Sequence, residues 1–280
     1  MFADLHIHMV LDGVYYRAAI DSHRPHPDDG KIRAQLRRYR DMGVNFLRDG
    51  GDAWGVCLRA RELAAQYGIT YRCPAFPIHK KGHYGAFIGR GYETLEDYEA
   101  LLDEAERRSA DFVKLMISGL IDFSEPNRLT EGSLEGEEII RLIERAHRRG
   151  FSVMAHANGD EAVLAALEGG VDSVEHGAFL SEATLLRMKN TLWVPTLSTI
   201  GNLIGSGRFP DGVLKELLKS QQEKVCFARA HGGLIGLGSD AGAYRVSHAR
   251  AIEQERAYLH MLSDEEIRRA EAFAAEQFRR

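Results

Sequence analysis

The sequence predicts an α/β fold: a (β/α)8 TIM barrel that occupies residues 1–280 as a single domain. Short apolar runs rich in β-branched residues alternate with longer amphipathic runs, as expected for β/α units on a parallel sheet. Eight of the short runs can be counted along the chain. The length of 280 residues also suits such a barrel, because barrels of about 250 residues fold as one unit.

Each predicted strand and helix follows from this alternation. The predicted strands are 2–8, 44–49, 70–76, 112–118, 152–158, 173–179, 192–198 and 234–240. The clearest predicted helices are 32–42, 54–67, 95–108, 134–149 and 160–167. Four of them are followed by a glycine that suits a left-handed helix end, namely Gly43, Gly68, Gly150 and Gly170. The last helix, 263–278, begins with a capping box formed by Ser263 and Glu266.

Two segments are too long and too rich in turn residues for minimal connections. Segment 11–30 follows the first predicted strand, and segment 77–91 follows the third. Barrel enzymes bind their substrates with the loops at this end of the strands. We therefore expect both segments to be loops that cover a small-molecule site.

Composition excludes several classes of partner. A formal net charge of -5 with 28% charged residues gives no reason to expect nucleic acid or a membrane surface as a partner. The three cysteines have no Cys-x-x-Cys spacing, so neither a disulfide framework nor a thiolate zinc site is indicated. Without a signal-peptide pattern or a long apolar run, a reducing cytoplasm is the expected location. The sequence leaves assembly into a homo-oligomer open.

His6 and His8 lie on alternate positions of the first predicted strand. Residues i and i+2 of a strand point the same way, so the two imidazoles face one point and offer half a metal site. For the pair alone, the polar face of an edge strand is the more common explanation.

Four later residues make the metal site the better interpretation. Lys114, His156, His176 and Asp240 each fall toward the carboxyl end of a predicted strand, where barrel active sites are built. Any one of them could be a core histidine, a paired lysine or a turn aspartate. Six such residues at the same end of different strands predict a shared site.

Lys114 indicates what kind of site this is. An ammonium group would repel a cation, so a lysine among metal ligands must be neutral or chemically altered. Carboxylation of its amine by carbon dioxide would give two anionic oxygens that can bridge two cations. A site with two divalent metal ions is the simplest interpretation.

These residues and three short segments resemble a known family. The segments are His-Ala-Asn-Gly at 156–159, Gly-Val-Asp-Ser-Val-Glu-His-Gly at 170–177 and Val-Pro-Thr-Leu at 194–197. The pattern resembles the amidohydrolase superfamily of the binuclear carboxylated-lysine type, and within it the imidazolonepropionase and prolidase-like branch. Two features depart from that branch: the barrel is expected without the β-sandwich domain usual there, and Glu-Ala-Phe-Ala-Ala at 271–275 replaces the usual Thr-x-Asn-Ala motif.

The resemblance implies a role for each ligand. His6, His8 and Asp240 would hold the more buried metal and His156 and His176 the more exposed one, with carboxylated Lys114 and a hydroxide as bridges. Asp240 would also be the catalytic residue, moving a proton from the nucleophile to the leaving group. Zinc is the expected metal, although this ligand set also accepts manganese, iron or cobalt.

Five further residues are candidate substrate contacts, each with a structural alternative. His83 and Tyr84 lie in the loop after the third strand, and His248 follows the eighth; Ser118 and Asn158 follow Lys114 and His156 and could instead cap strand ends. A structural ion pair is also expected between Arg48 and Asp49.

The resemblance implies a metal-dependent amidohydrolase that hydrolyses a carbon–nitrogen amide bond of a small cyclic amide or a dipeptide-like substrate. A lactonase or phosphotriesterase-like hydrolase is the first alternative. A mononuclear deaminase is the second, but its usual glutamate three residues after the fifth-strand histidine is Gly159 here. A non-catalytic barrel would be expected to have lost ligands.

Overall fold

Parallel strands and helices alternate through the computed structural model, which describes residues 2–280. Its strands form two parallel sheets, with the orders β1-β2-β3 and β10-β9-β8-β7-β6-β4-β5. The predicted α/β class is confirmed. A closed ring of paired strands, as predicted for a TIM barrel, is not found within residues 2–280.

The described residues contain ten strands. They are β1 (Ala3–Ile7), β2 (Phe46–Asp49), β3 (Thr70–Arg72), β4 (Pro77–Lys80), β5 (Arg90–Tyr92), β6 (Val113–Met116), β7 (Val153–Ala157), β8 (Ser173–His176), β9 (Leu192–Val194) and β10 (Leu234–Ile235). The buried side chains of most of these strands explain why the sequence shows continuous apolar runs instead of strict alternation.

Eleven α-helices connect these strands in the same residues. They are α1 (Tyr16–Asp21), α2 (Asp29–Asp41), α3 (Val56–Ala64), α4 (Leu95–Arg107), α5 (Gly136–Arg148), α6 (Asp160–Glu168), α7 (Glu182–Arg187), α8 (Ser198–Gly201), α9 (Asp211–Ala230), α10 (Arg250–Tyr258) and α11 (Asp264–Gln277). The predicted capping box of α11 is present, and the four predicted stop glycines have positive φ angles. Within residues 2–280, none of the helices combines the length and the hydrophobicity needed to cross a bilayer.

Backbone hydrogen bonds link both edges of the three-stranded sheet to segments that adjoin strands of the seven-stranded sheet. Leu5 donates to the carbonyl of Leu237 over 2.9 Å, and His8 donates to that of Ala241 over 2.8 Å. At the other edge, Asp111 donates to the carbonyl of Cys73 over 3.0 Å. These contacts bring β1 beside the segment that follows β10, and β3 beside the segment that precedes β6.

The prediction of eight strands was wrong in two places. Segment 77–91, predicted as a loop, contains β4 and β5, because the chain turns after β3 and β4 then pairs in parallel with β6. The predicted strand 234–240 contains only β10. Beyond it, a Cβ atom on Gly238 would lie 2.4 Å from Val194, so the backbone is packed closely there without a regular ladder. The predicted loop 11–30 also contains α1 and the start of α2.

Candidate metal centre

Parallel pairing places the six predicted ligands at the carboxyl ends of the strands. His6, Lys114, His156 and His176 lie in β1, β6, β7 and β8, while His8 and Asp240 lie in the segments that follow β1 and β10. The register of the central sheet pairs Met116 with His156 and Ala157 with His176, which puts these histidines at nearly the same level.

Asp240 stands between the two histidines of the first strand. Its Oδ1 atom lies 3.7 Å from Nε2 of His6 and 3.7 Å from Nε2 of His8. Donor atoms of His6, His176 and Asp240 all lie within 4.8 Å of one another, close enough to share one ion. The ring of His156 lies 4.5 Å from that of His176, so the structure brings all four histidines and the aspartate together.

Lys114 is buried in this cluster with only 1% of its surface exposed. Its Nζ atom has no hydrogen-bond partner among the described residues. Burial lowers the pKa of Lys114 to about 8, which favours the neutral, nucleophilic amine. A buried amine without a partner is costly, so the structure lacks a group that should contact this nitrogen.

The four histidines are held in their neutral form. Burial, followed by the charge of Lys114, lowers the pKa of His8 and of His156 to about 3. Burial also lowers the pKa of His6 and of His176 well below the ordinary value. A neutral imidazole has a free lone pair, which is the form that binds metal ions.

A strained turn presents Asp240 to the cluster. Asp240 has a φ of 57°, in the left-handed region that an aspartate adopts more readily than most residues. Asp4 holds the turn, because its carboxylate accepts hydrogen bonds from the backbone and the hydroxyl of Ser239 over 2.8 and 2.6 Å. Burial raises the pKa of Asp240 to about 7.

Glu175 orients His6 from behind. Its Oε2 atom lies 2.7 Å from Nδ1 of His6, and its Oε1 atom accepts hydrogen bonds from Arg48 over 2.8 Å and from Ser173 over 2.6 Å. With Nδ1–H donated to the carboxylate, the Nε2 lone pair of His6 is left for a ligand. Sequence reasoning gave Glu175 no role, although it stands one residue before His176.

The predicted ion pair between Arg48 and Asp49 is wrong. Arg48 points into the core, where it pairs with Glu175. Asp49 accepts hydrogen bonds from the backbone of Met9 and Gly51 and from the hydroxyl of Tyr71. Adjacent residues of a strand face opposite sides, which separates the two side chains.

A cavity of about 660 Å³ opens onto the cluster. Tyr84 lines it, with its ring 4.9 Å from that of His156, as expected for a substrate contact. Asn158 also lines it, but its amide bonds the carbonyl of Gly119 and the backbone of Ala178. Asn158 therefore has a structural task in addition to any contact with a substrate.

Three other predicted substrate contacts do not reach the cavity wall. His83 lies half-exposed in the loop after β4, 3.9 Å from Glu131. The hydroxyl of Ser118 accepts a hydrogen bond from the backbone of Asn158, as in the strand-end alternative. His248 is buried, and its two ring nitrogens contact the hydroxyl of Tyr39 and the carbonyl of Leu11.

Much of the cavity wall comes from aromatic residues that sequence reasoning did not single out. They lie in the loops and in α1, and they are Tyr15, Tyr16, Phe87, Phe123, Phe209 and Tyr244. Aromatic residues within predicted loops were the available signal, since an apolar loop residue has no core to fill.

No protein-family model matches the sequence. An uncharacterised protein from Mycobacterium tuberculosis is 31% identical over 230 residues, which are 79% of this chain and 60% of that protein. Ochratoxinase from Aspergillus niger is 28% identical over 199 residues, which are 70% of this chain and 39% of the enzyme. The match thus spans 60% of the length of the first relative and 39% of the second.

Solved structures share the fold over nearly the whole chain. A prolidase in complex with N-methylphosphonate-L-proline superposes with a TM-score of 0.76 at 20% identity, covering 99% of this chain and 74% of that one. Ochratoxinase of A. niger superposes with a TM-score of 0.75 at 21% identity, covering 98% of this chain and 70% of the enzyme. Neighbours that carry a functional name are hydrolases, among them prolidases and amidohydrolases. At these identities the likeness shows a shared fold, and the names of these neighbours agree with the family that the sequence resembles.

Proposed function

We propose that this protein is a metal-dependent amidohydrolase that hydrolyses a carbon–nitrogen amide bond of a small molecule, either a cyclic amide or a dipeptide-like compound. One observation carries the proposal: the amine of Lys114 is buried without a partner among four neutral histidines and Asp240. The hydrolases among the matched proteins support the same reaction class.

The residues present fit a pair of divalent cations. Neutral imidazoles and a carboxylate are suitable donors for zinc and similar ions, whereas a protonated lysine is not. Conversion of Lys114 to a carbamate would remove its positive charge and provide oxygens for both ions, together with His6, His8, His156, His176 and Asp240. When bound, the ions would make a water molecule more acidic and would polarise a carbonyl group.

The chain's own groups would handle the proton and the substrate. Asp240, with its pKa raised to about 7 by burial, is suited to hold a proton on a carboxylate oxygen and to deliver it to the departing amine nitrogen. Burial raises the pKa of Tyr84 above its ordinary value, so its hydroxyl stays protonated and can donate to a substrate oxygen. The cavity of about 660 Å³ is a usual size for a small-molecule site.

The same proposal includes closure of the strands into a (β/α)8 barrel. The hydrogen bonds from Leu5 and His8 to the segment after β10 support it, and so does the bond between Asp111 and Cys73. Closure would explain why groups from β1, β8 and the end of the last β/α unit meet in one site.

Metal content per chain tests the proposal first. Protein purified without added metal or chelator should contain close to two divalent ions per chain, and Lys114→Ala should contain fewer. Lys189→Ala, which changes an exposed lysine outside the cluster, serves as the control. One ion per chain that is unaffected by the loss of Lys114 would refute the bridging role and favour a mononuclear enzyme.

Turnover gives the second test. Wild-type protein should hydrolyse members of a panel of cyclic amides and dipeptides, and Asp240→Asn should lose this activity while its circular dichroism is unchanged. Hydrolysis of lactones or phosphotriesters without any amide hydrolysis would refute the proposed bond specificity.

A further inference from the structure

The ring of His8 is held in a different way from the ring of His6. Nδ1 of His6 lies 2.7 Å from the carboxylate of Glu175, whereas Nδ1 of His8 is buried without a hydrogen-bond partner among residues 2–280. No hydrogen bond at this nitrogen sets the orientation of the His8 ring. Its place therefore depends on the backbone that carries it and on the groups that pack against it.

The backbone directly after β2 packs against the His8 ring. A Cβ atom added to Gly50 would lie 2.4 Å from Cε1, 2.9 Å from Nε2 and 3.1 Å from Nδ1 of His8. The two closest of these distances are shorter than Cβ atoms tolerate, so no larger residue fits at position 50 while the ring keeps its place. The φ angle of Gly50 lies outside the left-handed region, so the glycine serves this close approach and not an unusual backbone conformation.

Asp49 joins the two chain segments that meet here. Its Oδ2 atom accepts a hydrogen bond from the backbone of Met9 over 2.9 Å, and its Oδ1 atom accepts one from the backbone of Gly51 over 2.6 Å. These two donors are the residues directly after His8 and Gly50. One buried carboxylate thus fixes the His8 segment relative to the Gly50 segment.

Strand pairing brings the same two segments together. The register between β1 and β2 shifts within β1, so that Ile7 lies opposite Asp49. The backbone of Gly50 donates a hydrogen bond to the carbonyl of Ile7 over 2.8 Å. An irregularity of this kind re-aims the side chains near it, and His8 directly follows the shifted stretch.

We propose that Asp49 and Gly50 are positioning residues that set the place of the His8 imidazole in the candidate metal centre. Gly50 leaves room for the ring, and Asp49 holds the two backbone segments together. Neither residue lines the cavity. The consequence for metal binding rests on the proposed function, whereas the placement of His8 does not.

A double-mutant cycle in the metal-free protein tests the contact between Gly50 and His8. Gly50→Ala should lower the Tm by at least about 3 °C, because the added methyl group must displace the ring. In the His8→Ala background the methyl group enters the space that the ring has left, so Gly50→Ala should leave the Tm unchanged or raise it. Gly136→Ala is the control and should not lower the Tm in either background, since its Cβ atom would lie 3.7 Å from Ala165 in ordinary contact.

Competition with a chromophoric chelator for Zn²⁺ measures the consequence for metal binding. Gly50→Ala should bind Zn²⁺ at least about 10-fold more weakly than the wild type, because a displaced imidazole no longer meets the other ligands. Gly136→Ala should bind Zn²⁺ as the wild type does. With Co²⁺ in place of Zn²⁺, the visible absorption spectrum should change in Gly50→Ala and not in the control.

A second pair of variants tests the role of Asp49. Asp49→Asn has one acceptor oxygen, so one of the two backbone N–H groups faces an NH₂ group, and Zn²⁺ should bind about 10-fold more weakly. Tyr71→Phe removes the hydroxyl that also donates to Asp49 but leaves both backbone contacts. It should lower the Tm without a change in the affinity for Zn²⁺. An equal loss of affinity in both variants would show that Asp49 acts only through general stability.

The cycle and the zinc titrations separate this inference from the proposed function. A wild-type protein that binds no Zn²⁺ would count against the proposed function, while a loss of Tm in Gly50→Ala that disappears in His8→Ala would still support the placement of His8. Equal effects of Gly50→Ala in both backgrounds would overturn the inference. So would a wild-type affinity for Zn²⁺ in Gly50→Ala.

Discussion

Replacement of Glu175 by glutamine is expected to weaken both the fold and the metal centre. Both oxygens of Glu175 accept hydrogen bonds, one from the side of His6 and the other from Arg48 and Ser173. A glutamine has only one acceptor oxygen, so its NH₂ group must face a donor on one of these sides. The substitution also leaves the guanidinium of Arg48 buried without a counter-charge.

The size of the effect follows from the burial of this network. Arg48 and Glu175 both have 0% exposed side chains, so neither can recover its loss from water. Removal of one member of a buried ion pair costs about 3–5 kcal/mol. Glutamine keeps part of the hydrogen bonding, and we therefore expect a loss of about 3 kcal/mol in the free energy of unfolding, or roughly 10 °C in Tm.

Urea denaturation of the metal-free protein measures the loss in the free energy of unfolding. The double variant Arg48→Met/Glu175→Leu should recover much of the loss, because an apolar pair of similar size removes both charges together. Glu223→Gln is the control, since Glu223 pairs with Lys219 on the exposed surface over 3.8 Å. A loss below about 1 kcal/mol in Glu175→Gln would refute the claim that Arg48 depends on this carboxylate.

The same variant should bind metal more weakly. Loss of the group that orients a ligating histidine typically lowers metal affinity by about 10–100-fold. Competition with a chromophoric chelator measures this affinity in the wild type and in Glu175→Gln. An unchanged affinity would show that Glu175 does not orient His6 for metal binding.

Two further predictions concern groups away from the ligands. Glu255→Gln should destabilise the protein by about 1–3 kcal/mol in urea titration, because Glu255 accepts hydrogen bonds from two backbone N–H groups and from the hydroxyl of Ser198 where α8 begins; an equal stability would contradict this. Burial lowers the pKa of His248 from 6.5 to about 4, so between these pH values His248 is protonated in the unfolded chain but neutral in the folded protein. The free energy of unfolding should therefore fall by about 3 kcal/mol as the pH is lowered from 6.5 to 4. In His248→Asn this fall should be missing when unfolding is measured at both pH values.

The regular elements could be predicted because periodicity and end signals agree within them. The predicted helix 95–108 is observed as Leu95–Arg107, and the predicted helix 134–149 is observed as Gly136–Arg148. Segment 77–91 was predicted wrongly because its glycines and histidines hide two short strands. These strands depend on pairing with the distant β6, which no local pattern reports.

The candidate metal centre was predictable in part for a different reason. A lysine or histidine inside an apolar strand breaks the local pattern, and the sequence shows that break directly. Glu175 and Arg48 also lie inside strands, but one sequence does not show which side chains they contact. Glu175 was therefore given no role, and Arg48 was assigned the wrong partner. The aromatic residues of the cavity wall come from α1 and from the loops, and their arrangement is a tertiary property that one sequence does not contain.

The contrast between His248 and Lys114 explains which polar residues deserve a functional interpretation. In the sequence both are polar candidates, Lys114 inside a predicted strand and His248 in the loop after the eighth predicted strand. In the structure, both ring nitrogens of His248 have partners, so its burial is accounted for by packing alone. The amine of Lys114 has none, and a ligand or a chemical modification would remove the cost of burying it. The partners that the tertiary structure reveals thus favour a packing role for His248 and a functional role for Lys114.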